Sequence, residues 1–291
     1  MNDQAARLRN IAKRKPVPQL LRGRTIAITS GKGGVGKTNI ATNLAILLRK
    51  YNKKTLLMDV DLGLANVDVL LGIHPEYTLQ HVIMGDKEIK DIIIKGPEGI
   101  MIVPASSGVE ELANLTPLQR ERLINGISQL DDEIDIVIVD TAAGISSNVL
   151  SFVLAANEIL IVTTPEPTAI TDAYAMIKVI ASYRKDPDIK LVVNMYKGRE
   201  EAGRTAKKIA EVAKLFLNVE VQCLGFLPLD PNVPQSTRHQ KPFVLEFPNS
   251  SASSYLNNLA ALLVNNTIEE PHLGIKNYFQ RITETVASIL V

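Results

Sequence analysis

One glycine-rich stretch, Gly31–Thr38, constrains this chain most strongly, because it has the pattern G-x-x-x-x-G-K-T. An apolar run at Thr25–Thr29 precedes it, and apolar residues at helical spacing follow from Ile40 to Leu48. A glycine loop between a strand and a helix directs backbone N–H groups and the positive helix end at an anion. Lys37 is expected to contact the β- and γ-phosphates of a nucleotide, and Thr38 to bind Mg²⁺. The predicted nucleotide-binding residues here are Gly31, Lys32, Gly33, Gly34, Val35, Gly36, Lys37, Thr38 and Asn39.

Composition narrows the class of protein. At 291 residues the chain is long enough for one large α/β domain with small appendages. The single cysteine, Cys223, lies in an apolar run and is expected to be a small core residue. One cysteine excludes an internal disulfide framework, argues against an iron–sulfur site and, without a signal peptide, favours the cytoplasm. A net charge of +1 gives no reason to expect nucleic acid as a direct partner. No apolar run approaches the roughly 20 residues that cross a bilayer.

Apolar, strand-like runs alternate with helical patterns along most of the chain. The predicted strands are Thr25–Thr29, Thr55–Met58, Ile100–Val103, Ile134–Val139, Ile159–Thr163, Leu191–Met195 and Val221–Leu227. The predicted helices are 38–51, 116–130, 168–185, 200–217 and 252–265, with Thr116 and Thr168 as starts. Because most of the runs are apolar throughout, both sheet faces should be covered. We therefore predict an α/β fold with a doubly wound, mostly parallel sheet and helices on both faces, of the P-loop NTPase type.

The two ends of the chain differ from this core. Residues 1–24 combine a short amphipathic stretch, a basic cluster and two prolines, which predicts an arm and linker; a solvated tail is the alternative. Residues 25–266 form the predicted ATPase domain. Residues 267–291 contain an amphipathic helix from Ile275 to Val291. This helix is expected either to bind a membrane surface or to dock on the protein's own core.

Acidic residues follow two of the predicted strands. Asp140 ends one apolar run and fits a carboxylate that holds Mg²⁺ through its waters. Asp59 ends another run and is expected to support the metal, whereas Asp61, two residues later, is expected to position the attacking water. Each carboxylate has the alternative role of capping the next element. Lys32 is not required by the minimal loop pattern, and it either is solvated or reaches a phosphate across a subunit boundary.

Together, the KGGVGKT, DVDLGLAN and DTAAG stretches resemble the deviant Walker A ATPases, the family that includes MinD and ParA. Within it the chain is most similar to the FlhG (FleN) branch, MinD-like ATPases of flagellar number and placement. The resemblance implies an ATPase that works with ATP, ADP and Mg²⁺ and forms a homodimer with ATP. By this resemblance Lys32 contacts ATP of the opposite protomer, and Asp61 is the hydrolytic aspartate of the first switch. The residues that match the family's phosphate, metal and adenine contacts are Lys37, Thr38, Asp140, Asn194, Pro228, Leu229 and Asp230.

The resemblance also implies partners at both ends of the chain. The arm is similar to the segment that activates an FlhF-type GTPase, and flagellar switch (C-ring) proteins or a flagellar transcription regulator are further partners. The arm residues that carry this expectation are Asp3, Gln4, Ala5, Leu8 and Arg9. The terminal helix is similar to a membrane-targeting helix, which places the protein reversibly at the inner face of the cell membrane. Its expected membrane residues are Tyr278, Phe279, Ile282, Val286, Ile289 and Leu290.

Two other classes use the same fold. A ParA-type DNA-partitioning ATPase would need a basic surface, for which Lys207 and Lys208 are the sequence's indication. A metabolic enzyme or an iron–sulfur carrier would need a second substrate pocket or cysteines, and the chain lacks the cysteines.

Overall fold

A computed structural model describes residues 23–61, 66–105, 115–265 and 274–289, including every side chain there except those of 66 and 286–289. These residues form an eight-stranded sheet with helices on both faces, as predicted. Residues 1–22 of the predicted arm and the expected membrane residue Leu290 lie outside the described residues, so the expectations about them stay predictions, while Arg24, the last residue of the predicted arm, begins β1.

Every predicted strand is present. The strands are β1 (Arg24–Ser30), β2 (Thr55–Asp59), β3 (Ile94–Lys95), β4 (Met101–Pro104), β5 (Ile136–Ala143), β6 (Glu158–Thr163), β7 (Ile189–Tyr196) and β8 (Val221–Pro228). Their order is β3-β4-β2-β5-β1-β6-β7-β8, and all neighbours are parallel except the antiparallel pair β3 and β4. The sequence did not predict β3, because two residues are too few for an apolar or alternating signal. The carboxyl ends of β1, β2 and β5 meet at one edge, where ligands bind in such sheets.

The longer helices also match the prediction. The helices are α1 (Lys37–Lys50), α2 (Asn66–Leu71), α3 (Leu79–Met84), α4 (Ile89–Ile92), α5 (Pro117–Ser128), α6 (Ser147–Ala155), α7 (Pro167–Tyr183), α8 (Arg199–Leu217), α9 (Asn232–Arg238), α10 (Phe243–Glu246), α11 (Ser251–Asn265) and α12 (Ile275–Ile289). The predicted helices correspond to α1, α5, α7, α8, α11 and α12. The sequence missed the others because they are too short to show several turns of periodicity.

The two predicted helix starts have different outcomes. Thr116 caps α5, since its Oγ1 accepts the Gln119 N–H at 3.3 Å. Thr168 is not the start of α7, which begins one residue earlier at Pro167 with Glu166 in the N-cap position. Proline is favoured at the first helical position because its φ is already helical and its missing N–H needs no partner.

Two hydrophobic layers cover the sheet. Helices α1, α10 and α11 pack on one face, and α3 to α8 together with α12 pack on the other. The prediction for Cys223 is wrong, because its side chain is exposed. It belongs to β8, which lies at the edge of the sheet and therefore has a neighbouring strand on one side only.

Candidate functional site

The glycine loop between β1 and α1 has a backbone shape that only glycine allows. Gly34 and Gly36 have φ values of +77° and +91°, in the left-handed region. A Cβ atom on Gly36 would lie 2.5 Å from Nδ2 of Asn194, and one on Gly31 would overlap the carbonyl oxygen of Asp172 in α7. The loop is thus enclosed by β7 on one side and α7 on the other.

Asn194 fixes the loop from β7. Its Nδ2 donates to the carbonyl oxygen of Val35 at 2.8 Å, and the side chain is buried. This bond fixes the orientation of the amide, with Oδ1 as its acceptor and one N–H of Nδ2 as its remaining donor.

Two of the predicted acidic residues lie side by side. Asp59 and Asp140 are register partners on β2 and β5, and both are buried, at 2% and 0% exposure. Burial and the charge of Asp140 raise the pKa of Asp59 to about 8. Burial raises the pKa of Asp140 to about 7, against the opposing effects of the nearby Thr38 hydroxyl and Lys37 ammonium. A buried carboxylate pair of this kind needs a cation before both members can ionise.

Asp140 meets the requirements of a magnesium ligand. Both of its carboxylate oxygens are buried, neither has a hydrogen bond of regular geometry, and the Thr38 hydroxyl and Lys37 ammonium lie beside them. Mg²⁺ is usually held by one or two carboxylates together with substrate phosphates and water, rather than by a cage of protein ligands. Accordingly, the described residues contain no cluster of three His, Cys, Asp or Glu side chains that would hold a metal by itself.

Asp59 and Asp61 are linked through the loop after β2. Oδ1 of Asp59 accepts the N–H of Asp61 at 3.1 Å, and Oδ2 accepts the N–H of Val67 in α2 at 3.2 Å. These contacts hold the loop after β2, and the predicted role of Asp59 in supporting the metal stays a prediction. The Asp61 side chain is partly exposed, and its charge contributes to the raised pKa of Asp140, so it lies at the same site.

The two lysines of the loop have different environments. Lys37 is buried at 7% exposure beside Asp140. Lys32 has a side chain that is 38% exposed and turns to the start of α7, where Nζ donates to Glu166 Oε2 at 2.7 Å and Thr168 Oγ1 at 3.0 Å. Sequence reasoning missed Glu166 as the partner of Lys32. The available signal was an acidic residue between two prolines directly after an apolar strand.

The predicted adenine loop has one member with a structural task. The carboxylate of Asp230 accepts the N–H groups of Asn232 and Ala252, each at 2.9 Å, and so fixes the starts of α9 and α11. Burial would raise the pKa of Asp230, but these N–H donors lower it. Pro228 ends β8 and Leu229 is 55% exposed, so this part of the loop offers an apolar surface. Asn39 contacts α9, since its Oδ1 accepts from Thr237 Oγ1 at 3.4 Å.

The apolar face of α12 is buried on the domain itself. Ile275, Tyr278, Phe279 and Ile282 are each 1% exposed or less, and the Tyr278 hydroxyl donates to the carbonyl oxygen of Phe152 at 3.2 Å. The helix lies across α5 and α6. This position explains why α6 is apolar on every side, since the sheet covers one face and α12 the other. The side chains of Val286 and Ile289 are outside the described residues. No helix within the described ranges has both the length and the apolarity to span a membrane.

Comparisons with known proteins agree with this site. A family model described as ParA: NUBPL iron-transfer P-loop NTPase matches residues 22–264. The antiactivator FleN of Pseudomonas aeruginosa is 44% identical over 228 residues, which cover 78% of this chain and 81% of FleN. The flagellum site-determining protein YlxH of Helicobacter pylori is 36% identical over 300 residues, which cover 97% and 98%. MinD of Pyrococcus horikoshii OT3, solved with Mg-ADP, is 27% identical with a TM-score of 0.68 and covers 84% of this chain and 100% of its own.

Proposed function

This chain belongs to the ParA family of P-loop NTPases and is a MinD-like ATPase that uses ATP, ADP and Mg²⁺, and we propose that it is a flagellar switch that dimerises with ATP. The position of Lys32 carries this proposal. Its ammonium is held outside the loop by Glu166, 2.7 Å away at an exposed surface, whereas Lys37 already serves the loop's own phosphates. A second protomer that approaches this surface with ATP bound offers Lys32 a phosphate to contact.

The side chains of the site have separate tasks in ATP hydrolysis. Lys37 and the loop N–H groups bind the β- and γ-phosphates, and Asp61 orients the attacking water. Thr38 and Asp140 hold Mg²⁺, which when bound neutralises charge on the phosphates. The bond from Nδ2 to Val35 fixes the Asn194 amide and leaves Oδ1 as its acceptor, which suits the amino group of adenine. Guanine presents an oxygen at that position, so this contact favours ATP over GTP.

Light scattering with ADP and then with ATP tests the dimer. Wild type is expected to double its mass with ATP, and Lys32→Ala to bind ATP but remain a monomer. Asp61→Ala is expected to dimerise and persist, because only the water is misplaced. Lys185→Ala removes the same charge from an exposed position and serves as the control. A Lys32→Ala protein that dimerises normally with ATP contradicts the proposal.

We also propose that α12 is a membrane anchor. In the ATP dimer it would leave the surface formed by α5 and α6, which we call its groove. Its apolar face is suited to interfacial insertion, and two helices on one dimer would bind the same surface with an effectively intramolecular second step. Sedimentation with vesicles should therefore show strong binding only for wild type with ATP. Phe279→Glu should abolish it, whereas Gln280→Glu adds the same charge on the less buried face and should retain it. Equal binding with ADP and ATP contradicts a nucleotide-controlled anchor.

The flagellar role is supported by the similarity to the flagellum site-determining protein YlxH, together with the similarity to the antiactivator FleN. We propose that residues 1–15 activate an FlhF-type GTPase, and that switch proteins or a transcription regulator bind elsewhere. A synthetic peptide of these residues should raise the GTPase rate, and a Gln4→Ala peptide should not, since a glutamine amide can orient water. An inert peptide alongside an active full chain would place the activator elsewhere.

The DNA-partitioning alternative gains no support from the described surface. Lys207 lies 3.6 Å from Glu211 in the next turn of α8, so part of the expected basic patch is balanced by an acid. We propose no direct nucleic-acid contact.

A further inference from the structure

The first turn of α12 has no cap of its own. The carbonyl oxygen of Gly274 accepts the Tyr278 N–H at 3.1 Å, which places Gly274 at the N-cap position. A helix start leaves several N–H groups without intrahelical partners, and an N-cap side chain normally accepts one of them. Glycine has no side chain for this task, so within residues 274–289 the N-cap residue supplies no side-chain acceptor to the start of α12.

A carboxylate from another element supplies the missing cap. Asp131, in the turn between α5 and β5, accepts the N–H of Lys276 through Oδ1 at 3.2 Å, and the Ile275 N–H also stabilises its charged form. Burial raises the pKa of Asp131, and these two N–H groups and the nearby Lys276 ammonium oppose the rise. A negative charge at this position also interacts favourably with the helix dipole.

We propose that Asp131 holds α12 in its groove, as a positioning residue that sets how readily the helix is released to a membrane. The role in release rests on the function proposed above, whereas the role in docking does not. The cap exists only while α12 lies against the turn that carries Asp131. A helix that moves to a lipid surface loses this cap, so Asp131 favours the docked helix over the released one.

Hydrogen exchange of the α12 amides in the full chain with ADP tests the docking role. Asp131→Ala is expected to speed exchange of residues 276–285 by about 2- to 30-fold, the range for loss of an N-cap. Asp131→Asn keeps an acceptor of similar capping strength and should remain close to wild type. Glu133→Ala removes an exposed carboxylate from the same turn and is the matched control.

A second measurement tests whether Asp131 acts on α12 specifically or stabilises the whole domain. Phe279 is buried, so Phe279→Glu is expected to displace α12, and in that background Asp131→Ala should leave the exchange of α12 and the thermal midpoint unchanged. Faster exchange throughout α5 and β5 in this background, or wild-type exchange of α12 in the single variant, overturns the proposal.

Vesicles of mixed zwitterionic and anionic phospholipid test the role in release. Asp131→Ala with ADP should bind them severalfold better than wild type with ADP. If wild type with ATP does not bind at all, the membrane function fails, while the exchange data still decide whether Asp131 holds the helix. If wild type with ATP binds and Asp131→Ala with ADP does not, the membrane function stands and the role of Asp131 in release is wrong.

Discussion

The two ends of the sheet both bury carboxylates, but they treat them in opposite ways. At the carboxyl-terminal edge, the pKa values of Asp59 and Asp140 are raised to about 8 and about 7 by burial. At the amino-terminal edge, burial would also raise the pKa of Glu158, but hydrogen bonds and charges from Arg24 and Lys190 lower it. The fold therefore supplies counter-charges to the buried carboxylate of Glu158 at the amino-terminal edge. It does not supply enough of them to Asp59 and Asp140 at the carboxyl-terminal edge.

At the amino-terminal edge, the paired group has a structural purpose. Arg24 donates through Nε and Nη2 to the two oxygens of Glu158, the latter at 2.6 Å, and Lys190 lies 2.8 Å from Oε2. Arg24 also donates to the carbonyl oxygen of Leu263, at the end of α11, at 2.5 Å. This cluster joins β1, β6, β7 and α11 with few unsatisfied groups.

At the carboxyl-terminal edge, we interpret the buried acidic pair of Asp59 and Asp140 as part of a ligand site. Natural proteins depart from full satisfaction of buried polar groups mainly at functional sites. Asp140 has two buried oxygens without a hydrogen bond of regular geometry, and it lies beside Thr38 and Lys37 of the glycine loop. The contrast teaches that burial of a charge does not by itself identify a site, whereas a buried carboxylate whose pKa remains raised beside a glycine loop indicates one.

The largest effect is expected from breaking the paired end. Glu158→Gln leaves Arg24 buried without a counter-charge and leaves Lys190 with Asp188 as its acidic partner, which typically costs about 3–5 kcal/mol of unfolding free energy. Urea unfolding at pH 7 measures this, and Glu220→Gln at an exposed ion pair should cost less than about 1 kcal/mol. ATP hydrolysis per folded molecule should be unchanged. A loss of less than 1 kcal/mol for Glu158→Gln would remove the distinction between the two ends.

A substitution at the carboxyl-terminal edge should change the unfolding free energy in the opposite direction. Asp140→Asn removes one of two buried, neighbouring carboxylates, so the nucleotide-free protein in EDTA should gain on the order of 1–3 kcal/mol at pH 8. The stabilisation that Mg²⁺ and ATP add to wild type should shrink sharply in the variant. Thermal unfolding with and without Mg²⁺ and ATP measures both effects, with Asp86→Asn at an exposed position as control. A variant that is less stable without ligands contradicts this account.

The pH dependence of stability should show the same contrast within wild type. With pKa values of about 8 and about 7 when folded, against 3.8 ordinarily, Asp59 and Asp140 bind more protons in the folded state between pH 4 and 8. In EDTA, the unfolding free energy should thus fall as pH rises through this range.

Glu158 gives the reverse dependence at lower pH. Its folded pKa lies below 4.5, so its contribution is present above that pH and is lost as the pH falls through the folded pKa. Urea unfolding from pH 3 to 8.5 resolves both limbs. If the unfolding free energy in EDTA rises steadily up to pH 8, burial does not raise the pKa values of Asp59 and Asp140 as described.

The sequence predicted the nucleotide edge well because its signals are local. The glycine loop, the strand before it and the helix after it are contiguous, and Asp59 and Asp140 each end an apolar run. The order of strands then brings the two acids together, which no local pattern states.

The paired edge and the groove of α12 were not predictable in this way. Arg24 and Glu158 are 134 positions apart, and a single basic or acidic residue at a strand start has no distinctive pattern. Similarly, Asp131 caps Lys276 over 145 positions. The exposure of Cys223 depends on the position of β8 in the sheet, which its own apolar sequence does not encode.

The smallest expected effect concerns α12, which begins near the amino-terminal edge, where Gly23 lies against Ile275. The charge of Asp131 favours the docked position of α12, whereas the charge of Arg281 in the same helix opposes it. Burial lowers the pKa of Arg184, and the neighbouring Arg281 of α12 lowers it further. Arg184 cannot turn away freely, because its guanidinium donates to the carbonyl oxygens of Ala156 at 2.6 Å and Asn157 at 3.3 Å.

Removing the like charge should tighten the groove's hold on α12. Arg281→Gln is expected to slow hydrogen exchange of the α12 amides by about two-fold, the scale of a like-charge pair on neighbouring helical positions. Arg281→Lys retains the charge and should exchange like wild type, and high salt should remove the difference between all three proteins. Faster exchange in Arg281→Gln would mean that this guanidinium anchors α12. Complementary charges along the groove, and not Asp131 alone, would then hold α12. In that respect the groove would resemble the cluster of Arg24, Glu158 and Lys190.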